Sequence, residues 1–202
     1  GLLNEAPNGP AFRHAVAMLP LVRGLDATRM VFLNSGRYDH VSSGSAIGQV
    51  SGLHSWPKEF PTEPWVAKNM TPDTIRALGI TWPAGQLAFH PGAGGEYSVV
   101  RWTAPAAGNV ELEAVFTGIA ERATTDVHVL HNGQSLFGGW INLHEQGNQA
   151  KCAKTLAVAA GDRLDFAVGY GNGHYGADST ALAVTIRTAD GQRYAATADF
   201  SI

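Results

Sequence analysis

The sequence predicts a mainly β protein, an antiparallel β-sandwich or jelly roll preceded by a short N-terminal strand–helix–strand extension. Three observations carry this expectation. From residue 86 onward, short stretches of alternating apolar and polar residues recur, each bounded by turn residues. Two hairpin signals, Asn132-Gly133 and Asp190-Gly191, sit between such stretches. The 202 residues include 24 Gly and 10 Pro but only 3 Met, a turn-rich composition that argues against a helical bundle.

Three zones follow along the chain. Residues 1–37 read as strand end, helix and strand. Leu2-Leu3 is a short apolar run, and Pro10 suits a first helical turn, where its missing N–H is no loss. Phe12, Val16 and Leu19 then recur at helical spacing until Pro20 ends the pattern by clashing with the carbonyl four residues back. Arg29 to Asn34 is an apolar strand, which completes a unit of the kind that builds parallel sheets. Residues 38–85 read as irregular. Ser42 to Ser45 is loop-like, and Pro57, Pro61, Pro64, Pro72 and Pro83 interrupt the remainder. Extended segments are expected there, pinned to the sandwich by Trp56, Trp65 and Trp82, with Phe60 among them.

Residues 86–202 form the sandwich domain. In Glu96 to Thr103, alternation places Tyr97, Val99 and Arg101 on one face and Val100 and Trp102 on the other. Pro105 to Gly108 turns into a strand from Val110 to Phe116. Asp126 to Leu130 meets Ser135 to Phe137 through Asn132-Gly133, because both residues of such a tight turn need positive φ. Gly161-Asp162 introduces a strand from Arg163 to Val168. Thr180 to Ile186 and Gln192 to Phe200 pair across Asp190-Gly191.

Composition excludes several functions. Fourteen Lys and Arg against 17 Asp and Glu leave a net charge of −3, so neither a nucleic-acid stripe nor a polybasic membrane patch is expected. No run approaches ~18 apolar residues, the length of a membrane span. Gly1 to Glu5 lacks the basic and apolar regions of a signal peptide. A single cysteine, Cys152, excludes an internal disulfide and a Cys-rich zinc site; flanked by Lys151 and Lys154 but by no His or Asp, it reads as passive. Nucleophile-elbow, Walker and His-Glu-x-x-His motifs are absent. Gly171 to Gly176 fits Gly-x-Gly-x-x-Gly, but it lies between two strands, with no helix to receive a phosphate. His128 and His131 are three apart on a strand and point to opposite faces. Asn69-Met70-Thr71 matches a glycosylation sequon by residue type alone.

Two resemblances to known families bear on function. Leu2-Leu3-Asn4-Glu5, Phe12-Arg13-His14, Leu25 to Arg29 and Leu33 to Arg37 resemble a stretch of (β/α)8-barrel glycoside hydrolases of the β-galactosidase and β-mannosidase group. That resemblance implies Glu5 as catalytic acid/base and Asn4 as a contact to the sugar 2-hydroxyl, within a complete barrel only. A barrel needs ~250 residues and a second carboxylate, so the zone reads as a barrel fragment. His90-Pro91-Gly92, Val100 to Pro105, Thr124 to Val129 and Gly161 to Phe166 resemble the jelly-roll carbohydrate-binding modules of bacterial extracellular carbohydrate-active proteins, over residues 86–188. This implies a poly- or oligosaccharide partner, a parent hydrolase barrel, and a secreted or periplasmic location.

Pyranose rings expose an apolar C–H face, so a sugar site pairs an accessible aromatic with converging polar groups. Gly169 to Asp178 offers Tyr170, Asn172, His174, Tyr175 and Asp178 on a glycine-rich frame. Trp140 and Asn142 share one strand face, with Ile141 on the other, and form a second candidate platform. No cofactor is expected; a structural calcium is conceivable at Glu96, Asp126 or Asp178, because hard cations take oxygen ligands. The expected function is a non-catalytic carbohydrate-binding accessory module. Two alternatives stand beside it: a glycoside hydrolase using Glu5 with Glu59 or Glu63, and a structural insert that docks through Phe12, Val16, Leu19 and Phe32 without a ligand.

Overall fold

The structure, a computed structural model, describes residues 31–34, 45–46, 50–56, 63–142, 147–171 and 174–200, with backbone alone for 31–34, 45–46 and 56. The helix expected over 10–19, together with Asn4, Glu5, Glu59 and Asn172, lies outside the described residues.

Two antiparallel sheets face each other. The first contains, in spatial order, β1 (Val31–Asn34), β8 (Ser98–Thr103), β13 (Arg163–Gly169), β10 (Thr124–His131) and β11 (Gln134–Asn142). The second runs β12 (Gln149–Val158), β9 (Gly108–Gly118), β14 (Thr180–Thr188), β7 (Leu87–His90), β4 (Trp65–Asn69), β3 (Leu53–Trp56) and β2 (Ser45–Ala46), with β15 (Arg193–Ala195) also paired to β14. The fold is therefore an antiparallel β-sandwich. Alternation fills its core: Val100 and Trp102, Val127 and Val129, and Leu164, Phe166 and Val168 point from the first sheet toward Val110, Leu112, Ala114 and Phe116, and Leu182, Val184 and Ile186, of the second.

β4 is buried along its whole length because it packs on both faces. Val66 joins the main core, while Trp65 and Ala67 join a second cluster with Leu53, Trp82 and Ala88. The hairpin of β5 (Ile75–Ala77) and β6 (Ile80–Trp82) brings Trp82 to that cluster. Trp82 stacks on Trp65 at 5.7 Å and donates from Nε1 to the Ala77 carbonyl at 3.2 Å. The zone expected to be irregular thus supplies β3 and β4 to the larger sheet. Its short apolar runs, buried on both faces, carry no period of two.

Other differences have local causes. β1 forms where a strand is expected but runs antiparallel along β8, Phe32 opposite Val100, as an edge strand of the sandwich rather than a member of a parallel pair. The Asn132-Gly133 turn forms as expected, with φ of 51° and 82° and His131 paired with Gln134. The strand expected over Gln192 to Phe200 stops at Ala195. A one-turn helix, α1 (Ala196–Asp199), follows, closed by a 2.6 Å bond from the Ala195 N–H to the Asp199 carboxylate. The Asn69 sequon is inside: Asn69 is 1% exposed, its amide donates to the Asp73 and Trp82 carbonyls, and its Oδ1 accepts from Thr71. Cys152 is buried in the main core, and burial pushes its thiol pKa up.

Candidate functional site

The face of the first sheet turned away from the core carries an unusual set of polar residues. Arg101 on β8 and Asp165 on β13 are cross-strand partners, 6% and 1% exposed, joined by Nε and Nη2 to the two carboxylate oxygens at 2.6 and 3.0 Å. On neighbouring β10, Asp126 Oδ2 accepts from the Tyr97 hydroxyl at 2.6 Å and pairs with His128 Nε2 at 2.7 Å. Asp126 and His128 are two apart on one strand and therefore share this face. Directly across β11 from Asp126 stands Trp140. It is 41% exposed, while the adjacent Ile141 is fully buried, as alternation requires.

Two glycines make room for this arrangement. A Cβ at Gly169 would fall against Asp126 Oδ1 and the Tyr97 ring, and a Cβ at Gly171 would lie 2.5 Å from Trp140 Cζ3. The Trp140 ring therefore rests on the Gly171 backbone, with its other side toward solvent. Gly169→Ala should force Tyr97 or Asp126 to move and lower stability by about 1–3 kcal/mol, the usual cost of overpacking. Chemical denaturation with an unchanged m-value is the check.

The segment Gly169 to Asp178 takes a different form from the converging cluster expected. Tyr170 is only 8% exposed and Asp178 is fully buried, so both face inward. Asp178 Oδ1 accepts from the Thr124 N–H at 2.8 Å and from its hydroxyl at 3.1 Å, tying the segment to the start of β10. His174 and Tyr175 remain accessible. Their rings stack at 5.9 Å, and Tyr175 meets His90 edge-on at 6.1 Å. His90 in turn stacks on Trp65 at 5.3 Å. A chain of rings thus runs from the second core cluster out to this segment. Asn142 bonds through its backbone to Gly147, closing the connection beyond β11.

Burial pushes the Asp178 carboxyl up to about 7, against the two Thr124 bonds, which pull it down; nearby Asp126 pushes it further up. A carboxyl whose folded pKa exceeds its unfolded value holds its proton more tightly when folded. Its contribution to stability is complete below about pH 4 and is lost as pH rises toward about 7. Asp178→Asn, which keeps the acceptor for Thr124 without a charge, should flatten this part of the profile. Thermal melts from pH 4 to pH 7 on both proteins read it directly.

Asp126 and Asp178 lie close enough to interact, but the three calcium candidates do not come together as one group. Glu96 Oε2 accepts from the Gly94 N–H at 2.9 Å, Asp126 is engaged by Tyr97 and His128, and Asp178 by Thr124. Among the described residues no three His, Cys, Asp or Glu side chains come together as a metal-holding group. Sequence reasoning overlooked a cleft of ≈ 510 Å³ at one end of the sandwich. It lies between the β5–β6 hairpin and the segment entering β14, with Glu63, Trp65, His90, Arg122, Ala177 and Ser179 in its lining. Its residues come from five stretches of chain, and only Glu63 figured among the expected candidates.

No family model matches the chain, and no curated protein matches it. Among solved structures it is similar to CBM51 from Clostridium perfringens GH95 in complex with methyl-galactose, at 13% identity and a TM-score of 0.37, over 58% of this chain and 83% of that one. It is similar to the secreted serine protease VesC from Vibrio cholerae at 15% identity and a TM-score of 0.35, over 70% and 26%. It is also similar to the Podospora anserina GH26-CBM35 beta-(1,4)-mannanase at 13% identity and a TM-score of 0.33, over 71% and 29%. The fold assignment rests on the strand order and register given above.

Proposed function

We propose that this domain is a non-catalytic glycan-binding module that serves a larger secreted or periplasmic glycoside hydrolase, with Trp140 as its platform. The observation that carries the reading is the placement of Trp140. A large aromatic ring is 41% exposed on a sheet face, close against the Gly171 backbone, with Asp126 directly across the strand pair. An indole fixed in this way costs little conformational entropy on binding and offers a hydrophobic plane to the C–H face of a pyranose. Asn142 stands on the same face two residues along, and its amide can both donate to and accept from sugar hydroxyls. His174 and Tyr175 are the accessible polar and aromatic groups of the neighbouring segment, which begins at the glycine beneath Trp140. A sheet face of this kind has room for the interior of a chain as well as its end.

Affinity electrophoresis through gels containing soluble polysaccharides tests the reading. Retarded migration in at least one β- or α-linked hexan gel is expected, and Gly171→Ala, which displaces the Trp140 ring, should reduce that retardation. Migration unchanged in every gel of a broad panel would count against it.

A further inference from the structure

We infer that Lys154 keeps the outer edge of the larger sheet from pairing with the same edge of a second copy of this chain, and so holds the domain single. The inference stands independently of the glycan-binding reading. β12 is the outermost strand of that sheet, and its ten residues pair with β9 in one unbroken register, from Gln149 opposite Thr117 to Val158 opposite Gly108. A long, regular edge presents a row of backbone N–H and C=O groups on which another strand can add. The other edge strands are blunted by their shape. β1 has four residues, β15 three and β2 two. Along β11 the ladder to β10 skips Leu136, between the Val129–Phe137 and Leu130–Ser135 pairs, and a bulge of this kind twists an edge away from a partner. The far end of β11 is closed by backbone bonds between Asn142 and Gly147 at 3.1 and 2.9 Å. The β12 register has no such interruption.

β12 carries a charge where its pattern calls for an apolar residue. Alternation turns Ala150, Cys152, Leu156 and Val158 toward the core, and Lys154 stands in the middle of that row, opposite Leu112 in the register. Leu112 is buried in the main core, yet Lys154 is exposed. A lysine so placed keeps its ammonium hydrated by running its stem along the apolar rim and out past the edge, where an incoming strand would lie. Its charge is felt on the core-facing side: burial pushes the Cys152 thiol pKa up, and Lys154 pulls it back down. Lys151 alternates onto the other face, opposite Val115, where pairing would leave its charge in solvent. A second copy adding its β12 antiparallel would continue the core-facing row across the seam and enclose a Lys154 ammonium from each copy. The β9 carboxylates, Glu111 and Glu113, alternate onto the outward face and are not in that row. Enclosing two charges without partners costs more than the added backbone bonds contribute.

Sedimentation velocity over the roughly micromolar to millimolar range, in which open strand edges associate, is the test. The native protein is expected to sediment with monomer mass throughout. Lys154→Met keeps the length of the stem and removes the charge, at an exposed position whose change leaves the core intact. It should self-associate at least about tenfold more strongly than the native protein. Lys154→Val should do the same and stands in if the methionine variant folds poorly. Lys154→Arg and Lys151→Met should remain monomeric. Hydrogen exchange then locates the contact: amides of residues 149–158 should gain protection in the associated form, and those of residues 134–142 should not. Monomeric Lys154→Met and Lys154→Val, each with a cooperative melting curve, overturn the inference. Equal association of Lys151→Met also overturns it, because the effect would then belong to net charge and not to position. Protection outside β12, or a native protein already paired through β12, does the same.

Discussion

Arg101→Ala is expected to lower the melting temperature by roughly 6–20 °C, the largest effect of any single charge removal in the described domain. Both partners of the Arg101–Asp165 pair are more than nine-tenths buried, and two hydrogen bonds at 2.6 and 3.0 Å hold the guanidinium fork against the carboxylate. Removing Arg101 leaves Asp165 ionised in a poorly solvated place, a loss of about 3–5 kcal/mol for pairs of this kind. The pair itself need not be strongly stabilising, because desolvating two charges offsets most of their attraction. A distinctive result follows. Replacing both residues with apolar ones of similar size, Arg101→Met with Asp165→Leu, should destabilise much less than either single alanine. Calorimetry of the two singles and the double gives the coupling. If the double variant is as unstable as the sum of the singles, the burial argument fails.

The second large effect concerns binding. Trp140→Ala should weaken affinity for the preferred polysaccharide by about 30-fold, the ~2 kcal/mol lost when an anchoring aromatic is truncated. Stability should change little, because the ring is 41% exposed and lies outside the core. Trp140→Phe should recover part of the affinity, since a smaller ring still covers part of a pyranose face. Isothermal titration calorimetry on the three proteins, beside their melting curves, separates loss of binding from loss of fold. Equal affinities for the native protein and Trp140→Ala would move the site elsewhere.

Residue-level patterns account well for what the sequence made visible. Asn132-Gly133 announced its hairpin because few other pairs accept positive φ at both positions, and both angles are positive. The alternation from Gly138 to Asn142 separated Trp140 from Ile141 without saying which of them faces out; the structure turns Trp140 outward and Ile141 inward. β4 was not legible, because Trp65 to Asn69 is buried on both faces and shows no period of two between its flanking prolines. The inward turn of Asp178 was equally silent. Its partner, Thr124, lies 54 residues away, and a short Gly-rich segment carries no local mark of which side chains it buries. The end cleft shows the same limit more strongly, since Glu63, His90, Glu121 and Ser179 meet only through sheet topology. Local chemistry fixes turns and faces, whereas long-range pairing decides which faces meet.

On the outward face of the first sheet, side-chain bonds brace the strand that pairs with the one carrying Trp140. Tyr97 and His128 both engage Asp126, and Asp126 sits across from Trp140. Three side chains from β10 and the segment entering β8 thus support the strand beneath the ring. Support of this kind is what lets a binding residue keep one orientation in the free protein.

The central claim is that this sandwich binds glycans. A titration of intrinsic tryptophan fluorescence with a panel of soluble poly- and oligosaccharides tests it most directly, because the exposed indole is the proposed contact. A saturable change with at least one glycan, absent in Trp140→Ala, is the expected result. A flat response across the whole panel, from a protein whose melting curve shows it folded, would contradict the account.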